Sequence, residues 1–163
     1  MLIVIRGSSG SGKSTLAAAL QRELGWPAGI LGQDHFRRIV FRECEGPGGV
    51  IDGTEHVALL EAAALHCLAA GHHLIVEGIL RADVYAAMLQ RVAATTDDAR
   101  FHAFDLPFDE TARRHATRSK TADFTAEEMR EWYRGWDPLP FVAEQRIGAG
   151  EPLGAVVARI LAG

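Results

Sequence analysis

Leu2-Ile3-Val4-Ile5-Arg6-Gly7-Ser8-Ser9-Gly10-Ser11-Gly12-Lys13-Ser14-Thr15 is the stretch on which the reading of this chain turns. Its four consecutive apolar residues, rich in β-branched side chains, have the length and character of a buried strand. Residues 7–14 then fit G-x-x-x-x-G-K-[ST], and residues 15–24 continue in a helical pattern with leucines at 16, 20 and 24. Strand, glycine-rich turn and helix, in that order, are the context in which this motif cradles a nucleoside triphosphate. Glycines let the backbone curl so that its N–H groups converge on phosphate, and the positive end of the following helix adds to the attraction. Gly7, Ser8, Ser9, Gly10, Ser11, Gly12, Lys13, Ser14 and Thr15 are therefore the expected nucleotide-binding residues. Lys13 supplies a point charge for the β- and γ-phosphates, and the Ser14 hydroxyl is a ligand for Mg²⁺.

The rest of the composition sets bounds. A chain of 163 residues is one domain by length and can bury a core without staples. It is 48% apolar and 23% charged with a net charge of −4, which disfavours a broad nucleic-acid footprint while leaving room for a local basic patch. Cys44 and Cys67 stand in neither a metal nor a redox spacing and read as inert thiols of a reducing compartment. The seven histidines form no ligand spacing, and His72 and His73 read as the exposed start of a strand. No room for a signal peptide precedes the first strand and no apolar run approaches membrane-spanning length, so a cytoplasmic location is expected.

Beyond the opening motif, strands are expected near 28–31, 72–77, 100–106 and 144–147. Helices are expected over 35–44, 54–70, 83–92, 125–134 and 152–161, and residues 108–120 are expected to form a helix and the loop that follows it. Thr125 and Glu128 have capping-box spacing. Residues 45–53, rich in glycine, read as a loop, either a substrate cover or a connector. This alternation predicts an α/β fold: a mainly parallel sheet with helices on both faces, in a single domain spanning 1–163. Trp136 is expected in the core.

Three clusters bear on the chemistry. Asp34 follows the second strand, where ligands of open α/β sheets bind, and its carboxylate is the candidate base for an acceptor hydroxyl. The same residue is also a suitable N-cap for the helix after it. Arg37, one turn on, can hold an anionic group of the acceptor, or belong to a solvated face. Glu77, at the tip of the third strand, is placed either to help hold Mg²⁺ or to contact the acceptor, and Arg81 either joins it or only flanks the next helix. Arg114 and Arg118, four apart on one helical face, suggest a lid over about 113–125 that meets the charge developing on the transferred group.

With these residues in place the chain resembles the P-loop kinases, in the branch of the zeta-toxin kinases, chloramphenicol phosphotransferases and polynucleotide kinase domains. The resemblance lies in the phosphate loop, in Asp34-His35-Phe36-Arg37, in Val76-Glu77-Gly78-Ile79-Leu80-Arg81, and in Arg114 with Arg118. It implies a five-stranded parallel sheet in kinase order, ATP·Mg²⁺ as donor and transfer of the γ-phosphoryl to a hydroxyl, with Asp34 as base. The acceptor so implied is a small molecule such as a nucleoside, sugar, nucleotide sugar or antibiotic-like alcohol. A polynucleotide 5′-hydroxyl is the alternative acceptor, and a nucleotide-dependent switch that transfers nothing is a further alternative. Glu77 stands where the polynucleotide kinases have aspartate.

Overall fold

β1 (Leu2–Arg6) is buried at every position, and the rest of the fold is built outward from it. The computed structural model describes residues 1–42, 55–116 and 125–163. Its five strands are β1, β2 (Ala28–Gly32), β3 (His73–Gly78), β4 (Ala99–Phe104) and β5 (Gln145–Ile147). They form one parallel sheet in the order β2-β3-β1-β4-β5. The helices are α1 (Lys13–Leu24), α2 (Glu55–Ala69), α3 (Ala82–Ala93), α4 (Phe108–Ala116), α5 (Ala126–Trp132) and α6 (Leu153–Ala162).

Successive side chains of a strand point to opposite faces, so β1 feeds two cores at once. Leu2 and Val4 pack with Leu74, Val76 and Phe101 against α2 and α3. Ile3 and Ile5 pack with Ile75 and Ile147 against Leu16 and Leu20 of α1 and Val156 and Ile160 of α6. A sheet covered on both faces explains why β1 reads as an unbroken apolar run. Thr125 and Glu128 form the expected capping box at the start of α5. Among the described residues no helix is long and apolar enough to cross a membrane.

The sheet order is the expected kinase order, with β2 at the edge: β3 lies between it and β1, so Asp34 is about 10 Å, two strand spacings, across the sheet from the phosphate loop. The structure departs from expectation in two places. Residues His35–Val40 form a short π-helix in place of the regular helix expected over 35–44, with the Phe41 amide donating to the Phe36 carbonyl at 3.0 Å. Buried Phe36 anchors this turn. The second departure is Trp136, which lines a cleft beside the phosphate loop instead of packing in the core. Spacing cannot foresee this, because it depends on where residues 133–144, which include no helix or strand, return across the sheet. Cys44 and the glycine-rich stretch 46–53 lie outside the described residues, so neither reading of that loop is addressed.

His102, in the middle of β4, is 1% exposed and neither ring nitrogen has a partner. Burial, aided by the charges of Arg159 and Arg100, pushes its pKa down to about 4 from 6.5. The unfolded chain therefore binds a proton there that the folded chain refuses, and stability falls as pH drops from 6.5 towards 4. This site alone removes about 2 kcal/mol between pH 8 and pH 5. Urea unfolding of His102→Leu at the two pH values is expected to show a pH dependence smaller by that amount. An unchanged difference would mean that the acid sensitivity lies elsewhere.

Candidate active site

The phosphate loop leaves β1 and enters α1 through Gly12, which occupies the N-cap position with φ +109° and offers no side-chain cap. No acidic residue stands in the first turn, so the positive end of α1 is left for an external anion. Gly10, at φ +79°, sits against α4: a Cβ there would lie 2.5 Å from the Thr111 carbonyl oxygen. Gly10→Ala combines backbone strain with a clash against main chain, and a loss of about 2–3 kcal/mol is expected. Thermal melting should show it as a drop of roughly 5–10 °C for a chain of this size, with weaker protection by ATP. A variant that melts with the parent would contradict the packing.

Lys13 is 8% exposed, and its ammonium donates to the Ser8 carbonyl at 2.8 Å, across the mouth of the loop. Ser14 is exposed, and its hydroxyl donates to Glu77 Oε1 at 3.1 Å. That contact follows from register: β3 runs beside β1 with Glu77 opposite Ile5, and its tip comes level with the start of α1. Among the described residues no group of three or more His, Cys, Asp or Glu gathers as a self-sufficient metal site. A hydroxyl and a carboxylate side by side suit Mg²⁺, which takes one or two protein oxygens and completes its shell with phosphates and water.

Gly32 pairs with Glu77, and β2 ends there. Asp34 follows, exposed and with helical backbone angles, and its carboxylate makes no capping hydrogen bond. Its expected alternative use as a side-chain cap is therefore not realised. A side-chain cap needs an extended residue, and Asp34 itself has helical angles, φ −60° and ψ −31°. Between Asp34 and the sheet lies Gln33, 2% exposed. Its side-chain oxygen accepts from the Ile79 amide at 3.2 Å, and its nitrogen donates to the Tyr85 hydroxyl at 2.7 Å. The same hydroxyl lies 2.7 Å from His56 Nε2. Gly78 permits the approach, since a Cβ there would stand 2.5 Å from Gln33 Cβ. The turn carrying Asp34 is thus fastened to the tip of β3.

Arg114, at the end of α4, donates to the Ser11 carbonyl at 2.8 Å, to the Ala149 carbonyl at 2.8 Å and to Glu110 Oε1 at 2.6 Å. It ties the phosphate loop to the turn before α6. Hydrogen bonds from Arg113 and Arg114 hold the Glu110 carboxyl down at about 2. Arg118 and the outer part of the expected lid, including Lys120, lie outside the described residues. Arg37 is half-buried on the π-helix. Arg81 ends the turn after β3, pairs with Asp83, and lines the cleft that Trp136 also lines. It thus flanks α3 and lines that cleft.

The most consequential group that sequence reasoning missed is Arg6. It is 4% exposed, and it donates to the Leu80 carbonyl at 2.7 Å, to Glu144 at 2.6 Å and to Asp137 at 3.2 Å. Asp137 also accepts from the Ala82 amide at 2.8 Å, and Glu144 from the Leu139 amide at 2.8 Å. A charge in an otherwise apolar central strand was the available signal, because a buried guanidinium demands partners. This ion cluster holds the outer wall of a shallow cleft bounded by Gly7, Ser8, Leu80, Phe104 and Trp136.

A phosphate loop after the central strand of a parallel 2-3-1-4-5 sheet, flanked by helices on both faces, gives the protein the fold of the P-loop kinases. Residues 2–139 match the family described as AAA domain, and the chain belongs to that family. No curated protein matches it. Among solved structures it is similar to the APS kinase of Mycobacterium tuberculosis in complex with AMPPNP and APS, with a TM-score of 0.73 and 22% identity over 99% of this chain and 95% of that one. A sugar kinase from Janibacter sp. HTCC2649 aligns with a TM-score of 0.72 and 16% identity over 99% and 92% of the two chains. A gluconokinase from Sinorhizobium meliloti 1021 aligns with a TM-score of 0.64 and 21% identity over 98% and 89%. At these identities the likeness is one of fold.

Proposed function

We propose that the protein is an ATP-dependent phosphotransferase that moves the γ-phosphoryl group of ATP to a hydroxyl of a small molecule. The reading rests above all on one alignment along the carboxyl ends of adjacent strands: Lys13 in the phosphate loop after β1, Ser14 against Glu77 at the tip of β3, and exposed Asp34 beyond β2. The loop amides and the N-terminus of α1 bind the donor's phosphates. Lys13 exchanges the Ser8 carbonyl for the β- and γ-phosphates, which are the stronger acceptors.

Ser14 and Glu77 would hold Mg²⁺, which when bound neutralises phosphate charge and favours departure of ADP. The acceptor oxygen attacks the γ-phosphorus as the bond to the β–γ bridging oxygen breaks. Its proton passes to the Asp34 carboxylate, and ADP leaves. Arg37 and Arg81 hold the acceptor, and Arg114, already on the Ser11 carbonyl, offers its charge beside the loop with Arg118 as its expected companion.

The test is to incubate the protein with ATP, Mg²⁺ and a mixed set of nucleosides, sugars, nucleotide sugars, antibiotic-like alcohols and short oligonucleotides, then search by mass spectrometry for one added phosphoryl group. A single phosphorylated small molecule is expected. Phosphorylation of oligonucleotides alone would replace this acceptor class with polynucleotide 5′-hydroxyls, and ATP consumed without any such product would favour a switch.

A further inference from the structure

The wall of the cleft formed by residues 134–137 faces the start of the phosphate loop, and its chemistry narrows the acceptor. Among the described residues the lining carries three guanidiniums, Arg6, Arg81 and Arg134, and one carboxylate, Asp137. Asp137 is already engaged by Arg6 and by the Ala82 amide. Arg81 is paired through Nε and Nη2 with Asp83, in a contact 40% and 56% exposed on its two sides. Arg134 has no hydrogen-bonded or ion-pair partner among the described residues, and its charge acts on the same Asp83. Two guanidiniums therefore share one carboxylate at the cleft, and the pair between Arg81 and Asp83 is exposed enough to be exchanged cheaply.

Trp136 lines the same cleft as an apolar floor of Leu80, Ala103 and Phe104. The Arg146 guanidinium lies 4.1 Å from the Trp136 ring centroid and is itself fixed by Asp105 at 3.0 Å, so the indole is held in place. The buried bonds from Arg6 to Asp137 and Glu144 clamp the segment that carries both Arg134 and Trp136. A wall secured in advance costs a ligand little ordering entropy.

We propose that this cleft is the acceptor site, that Arg134 and Trp136 are its specificity-determining residues, and that it selects a hydroxyl compound combining a flat or apolar body with an anionic oxygen group, carboxylate or phosphate. This rests on the phosphotransferase reading above. Trp136 and the apolar floor take the body, Arg134 with Arg81 takes the anion, and the hydroxyl extends out of the cleft past the tip of β3 towards Asp34, which does not itself line the cleft.

The test uses the full chain saturated with ADP·Mg, so that the phosphate loop is filled before an anion is added. Phenyl phosphate, benzoate and phenol are titrated in turn while the indole N–H resonance of Trp136, assigned by its loss in Trp136→Phe, is followed by NMR. Phenyl phosphate or benzoate is expected to move that resonance at concentrations where phenol does not, and the stronger of the two names the anion. Arg134→Ala should weaken that probe about tenfold or more, with part of the loss recovered in Arg134→Lys. Equal response to phenol, no response to either anion, or unchanged affinity in Arg134→Ala would overturn the assignment. ADP·Mg binding, measured first by calorimetry, reports separately on the donor site: its failure would contradict the phosphotransferase reading itself.

Discussion

Asp34→Asn is expected to slow phosphoryl transfer by roughly 10²–10⁴-fold, about 3–5 kcal/mol of transition-state stabilisation. The amide keeps the shape of the carboxylate and loses only its ability to take the hydroxyl proton. Phosphoryl transfer passes through a loose transition state in which positioning counts for much, so Asp34→Ala should cost at least as much. Nucleotide affinity should stay within about twofold, because Asp34 lies beyond β3 from the phosphate loop, about two strand spacings away. Stability should be unaffected, since the carboxylate caps no helix. Single-turnover rates and ADP calorimetry on the same variant separate these effects. Transfer at the parent's rate would remove Asp34 from the chemistry.

Arg6→Ala is expected to cost 3–5 kcal/mol of stability, with Tm lower by on the order of 10 °C. The side chain of Glu144 is 0% exposed, and removing Arg6 strands its charge and leaves the Leu80 carbonyl without a donor. Exchanging both partners for apolar residues removes the stranded charge, while the Leu80 carbonyl still lacks its donor and the Leu139 amide loses its acceptor. Arg6→Met with Glu144→Met should therefore recover part of the loss, because well-packed apolar pairs often replace a buried ion pair at no cost. The double variant should still loosen the acceptor wall, since Asp137 loses its anchor as well. Chemical denaturation of the three proteins decides the matter: if the double variant is no more stable than Arg6→Ala, the energy lies in packing and not in the uncompensated carboxylate.

What could be read from the sequence was what is local. Residues 2–15 announce strand, loop and helix through three short-range patterns that agree, and Thr125 with Glu128 announces a cap, because the interacting groups are within one helical turn. The parallel sheet followed from alternation of elements, but the place of β2 at the edge did not, since strand order is settled by crossovers that composition does not record. The π-helix at His35–Val40 escaped for a related reason: i→i−5 winding leaves no distinct periodicity in six residues. Arg6 meets its partners across 131 and 138 residues of chain, so a lone arginine beside a glycine-rich loop gave no hint of Asp137 or Glu144. Trp136 and Arg134 owe their place in the cleft to that same long-range clamp. The residues proposed to bind the donor are thus carried by a motif, whereas those proposed to select the acceptor are assembled by the fold.

The central claim is that the γ-phosphoryl of ATP ends on an acceptor hydroxyl and not on water. ³¹P NMR of the protein with ATP, Mg²⁺ and the mixed acceptor set follows both fates in one tube. The account predicts a new phosphomonoester resonance growing in step with ADP, and its absence with Asp34→Asn. Orthophosphate growing in step with ADP, with no phosphomonoester at any time, would contradict it.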